Sequence, residues 1–123
     1  MIHLDTSFLI HALRRGSRED AHIRGWLMAN ESLAMSTVAW AEFLCGPVDD
    51  TARAAASVVV ERRSPFTGEM AGMAAMLFDG AGRRRGSMID CMIAAAALAE
   101  GAAVATSNPG DFNRFAPFGL NLA

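Results

Sequence analysis

A chain of 123 residues, 52% of them hydrophobic, is long enough to bury a core without disulfide or zinc staples and too apolar to stay disordered. Its net charge of −2 excludes a broadly basic, nonspecific nucleic-acid binder, although all eleven basic residues are arginine. No apolar run reaches the roughly 20 residues of a membrane helix, and Met1 leads directly into a strand-like segment with no basic leader or cleavage site. A cytoplasmic protein with no membrane contact is expected.

In chain order, Ile2–Asp5 reads as a short buried strand, with Thr6 or Ser7 as N-cap of a helix running to about Arg15. A second helix is expected over Arg18–Ala29, a strand over Ser32–Ser36, and a helix over Thr37–Cys45 that ends at Gly46-Pro47. The alanines of Thr51–Arg62 predict a helix, which the β-branched run Val58-Val59-Val60 weakens. Ser64–Thr67 reads as a short strand, and Glu69–Asp79 as a helix with Met70, Met73 and Leu77 on one face, either core or a partner-facing groove. After a Gly80–Gly86 loop comes an alanine-rich helix over Met88–Glu100, stopped by Gly101. Ala102–Thr106 reads as the last strand, and a turn at Asn108-Pro109-Gly110 leads into a final helical turn.

There is no linker, repeat or low-complexity tract, so residues 1–123 are expected to form one domain. Alternation of short strands and helices implies an α/β fold with a parallel sheet covered on both faces. Ligands of such folds bind outside the carboxyl ends of the strands. Cys45 and Cys91 are too few and too far apart for a zinc motif. Their apolar helical settings suggest small buried hydrophobes.

The chemistry lies in four acids at the borders of apolar runs: Asp5, Glu42, Asp90 and Asp111. A carboxylate in such a setting is costly unless its charge is compensated. With no lysine, and with the arginines mostly elsewhere in sequence, nearby cations are not the expected compensation; a hard divalent ion is. Oxygen ligands without a His or Cys cluster suit Mg²⁺ or Mn²⁺ and argue against zinc. Asp5 and Asp90 are the expected direct ligands, Glu42 a water-mediated ligand or general base, and Asp111 the support of a second metal. Thr6 and Ser7 offer backbone N–H groups to a phosphate, and Thr106 or Asn108 holds a water or a ligand carboxylate. The triplet Arg83-Arg84-Arg85 and the Arg14–Arg24 cluster are either solvated faces or local positive patches beside the acidic site.

The segments Leu4-Asp5-Thr6-Ser7, Ala41-Glu42-Phe43-Leu44-Cys45-Gly46, Ile89-Asp90-Cys91-Met92-Ile93-Ala94-Ala95 and Ala105-Thr106-Ser107-Asn108-Pro109-Gly110-Asp111-Phe112 together resemble the PIN-domain nucleases, in particular the VapC-type toxins of toxin–antitoxin pairs. The resemblance spans essentially the whole chain. It implies a three-layer α/β/α sandwich around a short, mostly parallel sheet, and Mg²⁺- or Mn²⁺-dependent endoribonuclease activity. It also implies a VapB-type antitoxin partner covering the acidic groove, and a homodimer. Asp5, Glu42 and Asp90 match the family's acids. At the fourth place many relatives carry an aspartate where this chain has Asn108, and Asp111 is the other candidate.

Two readings from other classes stand beside this one. A PIN-like domain that has lost activity and serves as a protein-binding module predicts no metal site dependent on Asp5. A phosphoryl-accepting regulatory domain needs a lysine beside the phosphoryl group, and this chain has none.

Overall fold

The computed structural model describes residues 1–123. Four strands, β1 (Ile2–Leu4), β2 (Leu33–Ser36), β3 (Arg62–Ser64) and β4 (Ala103–Ala105), form one all-parallel sheet in the order β3-β2-β1-β4. Seven helices surround it: α1 (Thr6–Ala12), α2 (Arg18–Met28), α3 (Thr37–Cys45), α4 (Asp50–Val59), α5 (Gly68–Gly80), α6 (Met88–Ala99) and α7 (Pro109–Phe112). This is the expected α/β/α sandwich. A 3-10 segment over Asn113–Phe118 follows α7, and the tail lies along the β4 edge through Val104 and Leu122. No helix is long and apolar enough to cross a membrane.

The strand order fixes where a site can be. The chain builds β1, β2 and β3 outward in one direction, then returns to place β4 on the other side of β1. The crevice between β1 and β4 is therefore the point where the winding reverses, and their carboxyl ends open into it.

The core explains why each helix sits where it does. Leu4, Leu33, Met35 and Val104 from the sheet meet Leu9, Phe43, Ile93, Phe112 and Phe115, all fully buried or nearly so. Ala94, Ala95, Ala96 and Ala97 are all buried, so α6 lies close to its neighbours and packs along α5. Of the methionine face on α5, Met70 and Leu77 belong to the interior and Met73 packs at its border. Ile23 is likewise core, Trp26 stacks on Phe8 at 5.5 Å between ring centres, and Leu27 is exposed.

Several expectations change at element ends. Asp5, rather than Thr6 or Ser7, caps α1, its carboxylate accepting the Thr6 N–H. The α1 helix stops at Ala12, short of Arg15. Helix α4 ends at Val59, and the strand after it comprises Arg62–Ser64 instead of Ser64–Thr67. Pro109 opens a helix at its first position, where its missing N–H costs nothing, instead of sitting in a turn. Cys91 is buried as expected, but Cys45 is exposed at the end of α3.

A polar network on β1 was not anticipated. His3 is fully buried, and its Nε2 lies 2.7 Å from Glu100 Oε1, which also accepts from Ser64 at 2.5 Å; Arg62 donates to Glu100 Oε2 at 2.7 Å. His3 Nδ1 has no partner, so the ring is neutral with its proton on Nε2; a second proton would be buried without an acceptor. Burial lowers the His3 pKa and outweighs the hydrogen bond to Glu100. Burial by itself raises the Glu100 carboxyl, but hydrogen bonds from Ser64 and His3 overcome it and leave the pKa lowered.

Both shifts carry one sign. As pH falls below about 6.5, the unfolded chain takes up a proton that folded His3 resists. Lower still, the stability contributed by ionised Glu100 is lost as pH drops through its depressed pKa. Through these two groups acidification lowers the melting temperature, against the opposite pull of the raised acids Asp5 and Asp90, and between about pH 5 and 7 His3→Gln is expected to lose less of its melting temperature than the parent. Parallel profiles for parent and variant in a thermal-melt series would show that His3 titrates alike in both states.

Candidate active site

Asp5 leaves β1 at the crevice and is 6% exposed. One carboxylate oxygen caps α1, and the other accepts from Ser7 Oγ and from Thr106 Oγ1, each at 2.9 Å. Thr106, just past the end of β4, thus ties the edge strand β4 to β1 through the acid. Its hydroxyl also accepts the Asn108 N–H at 3.0 Å, which turns the chain toward α7. Burial raises the Asp5 pKa despite these three donors, with the charge of Glu42 adding to the rise.

Glu42 reaches the crevice from α3. Thr6 Oγ1 lies 2.6 Å from Glu42 Oε1 and 3.1 Å from the Ala39 carbonyl. The hydroxyl has one proton, and the shorter contact to a carboxylate is the stronger acceptor. Asp90 projects from the first turn of α6, and Asp111 from α7. All four acids, with Thr6, Ser7, Ile10 and Asn108, line one cleft of about 260 Å³. Both candidates for the fourth position therefore reach the same space.

The electrostatics follow from that crowding. The Asp90 carboxyl is pushed up to about 6, first by burial and then by the charges of Asp5 and Asp111, with Arg114 opposing. Such clustered carboxylates gain when a cation joins them. The donor set is oxygen throughout, which fits a hard divalent ion. Without one, no three acid or imidazole groups converge to coordination distance, so the cleft is a shared acidic space rather than a closed chelate.

The arginines are arranged differently from what the sequence suggested. Arg114, which the linear reading passed over, places Nη2 3.6 Å from Asp90 Oδ2, and Arg84 Nη1 lies 3.8 Å from Asp111 Oδ1. Partial compensation from cations is thus built in. Only the Arg114-Phe115 pair following Asp111-Phe112 could have hinted at it, since that spacing returns the side chain to the face of Asp111. Within the triplet, Arg84 and Arg85 border the site, while Arg83 pairs with Asp79 and lies over Phe78.

On the other flank, Ser107 joins the site to α1 and α2. Its N–H donates to Ser7 Oγ, and its hydroxyl meets His11 Nδ1 at 2.9 Å and Glu19 at 3.2 Å. A recess of about 290 Å³ lies there, bordered by Phe8, Arg18, Glu19 and His22.

Comparison with known proteins adds family and fold. The PIN domain model matches residues 2–116. No curated protein matches the sequence. Among solved structures, VapBC2 from Rickettsia felis, bound to a DNA fragment from its promoter, is similar with a TM-score of 0.76 and 22% identity, covering 100% of this chain and 98% of that one. VapBC-1 from nontypeable Haemophilus influenzae is similar at 0.72 and 24% identity, covering 100% and 97%. VapC20 from Mycobacterium tuberculosis, a toxin that cleaves the sarcin-ricin loop, is similar at 0.69 and 19% identity, covering 100% and 98%. At these identities the likeness is one of fold.

Proposed function

The chain belongs to the PIN domain family, and from that premise we propose that it is a divalent-metal-dependent endoribonuclease, the toxin of a VapBC-type toxin–antitoxin pair. The observation that carries this reading is the meeting of Asp5, Glu42, Asp90 and Asp111 in one cleft at the β1–β4 switch, with two of the acids raised in pKa. RNA as substrate is supported by the likeness to VapC20, and an antitoxin partner by the likeness to VapBC complexes.

Asp5 and Asp90 would hold Mg²⁺ or Mn²⁺, with Asp111 or Asn108 completing the set. When bound, the ion polarises a phosphoryl oxygen and makes a water acidic enough to attack near neutral pH. The chain's own residues do the rest. Glu42 accepts the proton of the attacking water, Thr6 holds that carboxylate in place, and Ser7 and Thr106 fix the rotamer of Asp5. The exposed apolar side chains Met28, Val58 and Met76 are available for the antitoxin and for a second copy in a homodimer.

Purified protein is expected to cut a mixed-sequence RNA with Mg²⁺ or Mn²⁺ and not with chelator, and Asp5→Ala is expected to be inactive. A parent that neither cuts nor binds Mn²⁺ in calorimetry would instead be an inactive, protein-binding member of the family. Thr6→Val, which removes the hydroxyl on Glu42 and little else, is expected to slow cleavage roughly 10- to 100-fold while leaving Mn²⁺ affinity near the parent's. Unchanged cleavage in that variant would mean that Thr6 does not position Glu42.

A further inference from the structure

Arg114 is in an unusual situation. Its side chain is 16% exposed, yet Nε, Nη1 and Nη2 are all buried without a hydrogen-bond acceptor. A guanidinium carries five N–H donors, and burying it unsatisfied is costly. Asp90 at 3.6 Å is close enough to attract it and too far to accept a hydrogen bond. The Phe115 ring, 4.8 Å below the guanidinium carbon, supports it from one side and offers no acceptor.

The space in front of Arg114 has its own character. It is a cavity of about 150 Å³ with no apolar residue in its wall, which Arg84 and Arg85 line together with Arg114. Ser87 spends its hydroxyl on the Arg84 carbonyl at 2.6 Å instead of capping α6, so the first turn of that helix begins at the cavity wall without a side-chain cap. Three guanidinium groups and an uncapped helix start thus surround a small polar space. Asp90 and Asp111 line both this cavity and the acidic cleft, so the two spaces adjoin across a boundary between positive and negative charge.

We propose that this cavity is a binding site for a phosphodiester group of the RNA backbone, with Arg114 as its buried anchor and Arg84 and Arg85 as its rim; the inference rests on the nuclease reading above. A phosphate supplies the several acceptors that the Arg114 fork lacks, two of its oxygens being spaced to accept from the planar guanidinium together, which a lysine ammonium cannot match. It also explains why Arg114 stops short of Asp90: a direct pair would close the space between them. A phosphate seated there lies beside the carboxylates, which places the RNA strand across the cleft with its negative charge met by arginine rather than by the acids.

The test is binding of a short fluorescein-labelled single-stranded RNA in chelator, read by anisotropy as salt rises from about 50 to 200 mM. Arg114→Met is expected to lose about tenfold to a hundredfold in affinity, and its log–log salt slope is expected to fall by about 0.7, the value for one single-strand phosphate contact. Arg114→Lys is expected to regain the slope but only part of the affinity. Arg84→Ala, at an exposed position, is expected to move both quantities in the same direction and carries the test should Arg114→Met fail to fold in circular dichroism.

Parent-like affinity and slope in folded Arg114→Met, or in Arg84→Ala, would overturn the site. The two readings separate cleanly. A parent that cuts RNA with Mn²⁺ while Arg114→Met binds unchanged keeps the nuclease and loses the phosphate site. A parent that cuts nothing, while Arg114→Met loses its salt-dependent contact, does the reverse.

Discussion

Asp90→Asn protein is expected to fold, to melt no lower than the parent at neutral pH, and to cut RNA at least about 100-fold more slowly. The size of the kinetic effect follows from a comparison: residues that merely support a metal ligand typically cost 10- to 100-fold when removed, and loss of the ligand itself exceeds that. The thermal expectation follows from the sign of the pKa shift. The Asp90 carboxyl is raised to about 6, chiefly by burial and the neighbouring acids, against an ordinary value of 3.8. Its contribution to stability is therefore complete below the ordinary value and is lost as pH rises through about 6. At neutral pH the ionised group works against the fold, and the neutral amide removes that opposition.

A second readout guards this prediction. Mg²⁺ or Mn²⁺ is expected to raise the melting temperature of the parent, because an ion that binds only the folded state stabilises it. The same titration is expected to leave Asp90→Asn nearly unmoved. Cleavage at the parental rate by the variant would remove Asp90 from the site. A variant that melts well below the parent would show that Asp90 serves the fold, through Arg114, more than the chemistry.

Phe43→Ala is expected to be the most damaging single change to the fold, at about 3–5 kcal/mol. The ring is fully buried, tilts against Trp40 at 5.3 Å between centres, and seats α3 against the rest of the core. Domains of this kind are stable by only about 5–15 kcal/mol in total, so the variant is expected to lie near its unfolding transition at ambient temperature. Leu44→Ala, one residue on and 37% exposed, is expected to cost about 0.5 kcal/mol. Denaturant midpoints measure both. The contrast has a functional side, because α3 carries Glu42 and its seat sets where that carboxylate lies. A Phe43→Ala midpoint within about 1 kcal/mol of the parent would mean that the core closes around the lost ring far better than a tightly packed interior allows.

The expected four acids do meet, and the way they meet shows what linear reasoning can reach. Asp5, Glu42, Asp90 and Asp111 stood out because each borders an apolar run, and an α/β winding brings strand ends and early helical turns to one edge. His3 was passed over because a single histidine in a strand carries no periodic signal; its partner Glu100 lies 97 residues away. Arg62 falls at the end of the alanine-rich stretch that predicts a helix and Arg63 carries no strand signal, since an exposed polar edge strand lacks the alternation that marks a half-buried one. Cys45 and Cys91 had equally apolar neighbours, and only helix orientation separates the exposed thiol from the buried one.

The number and order of nearly all elements, the parallel α/β class, the oxygen-only chemistry of the acids and the family resemblance are legible in the linear chain. These follow from local causes: periodicity, caps, glycine stops and residue type along short windows. Folding in three dimensions settles that Asp5 caps α1 while receiving Thr106 from 101 residues away, that Arg83 faces Asp79 while Arg84 faces Asp111, and that Arg114 comes to rest beside Asp90 without a hydrogen-bond acceptor. The reason is the range of the interaction. Hydrogen bonding and charge act between neighbours in space, and a chain that winds out to β3 and returns to β4 makes neighbours of residues that share no window of sequence.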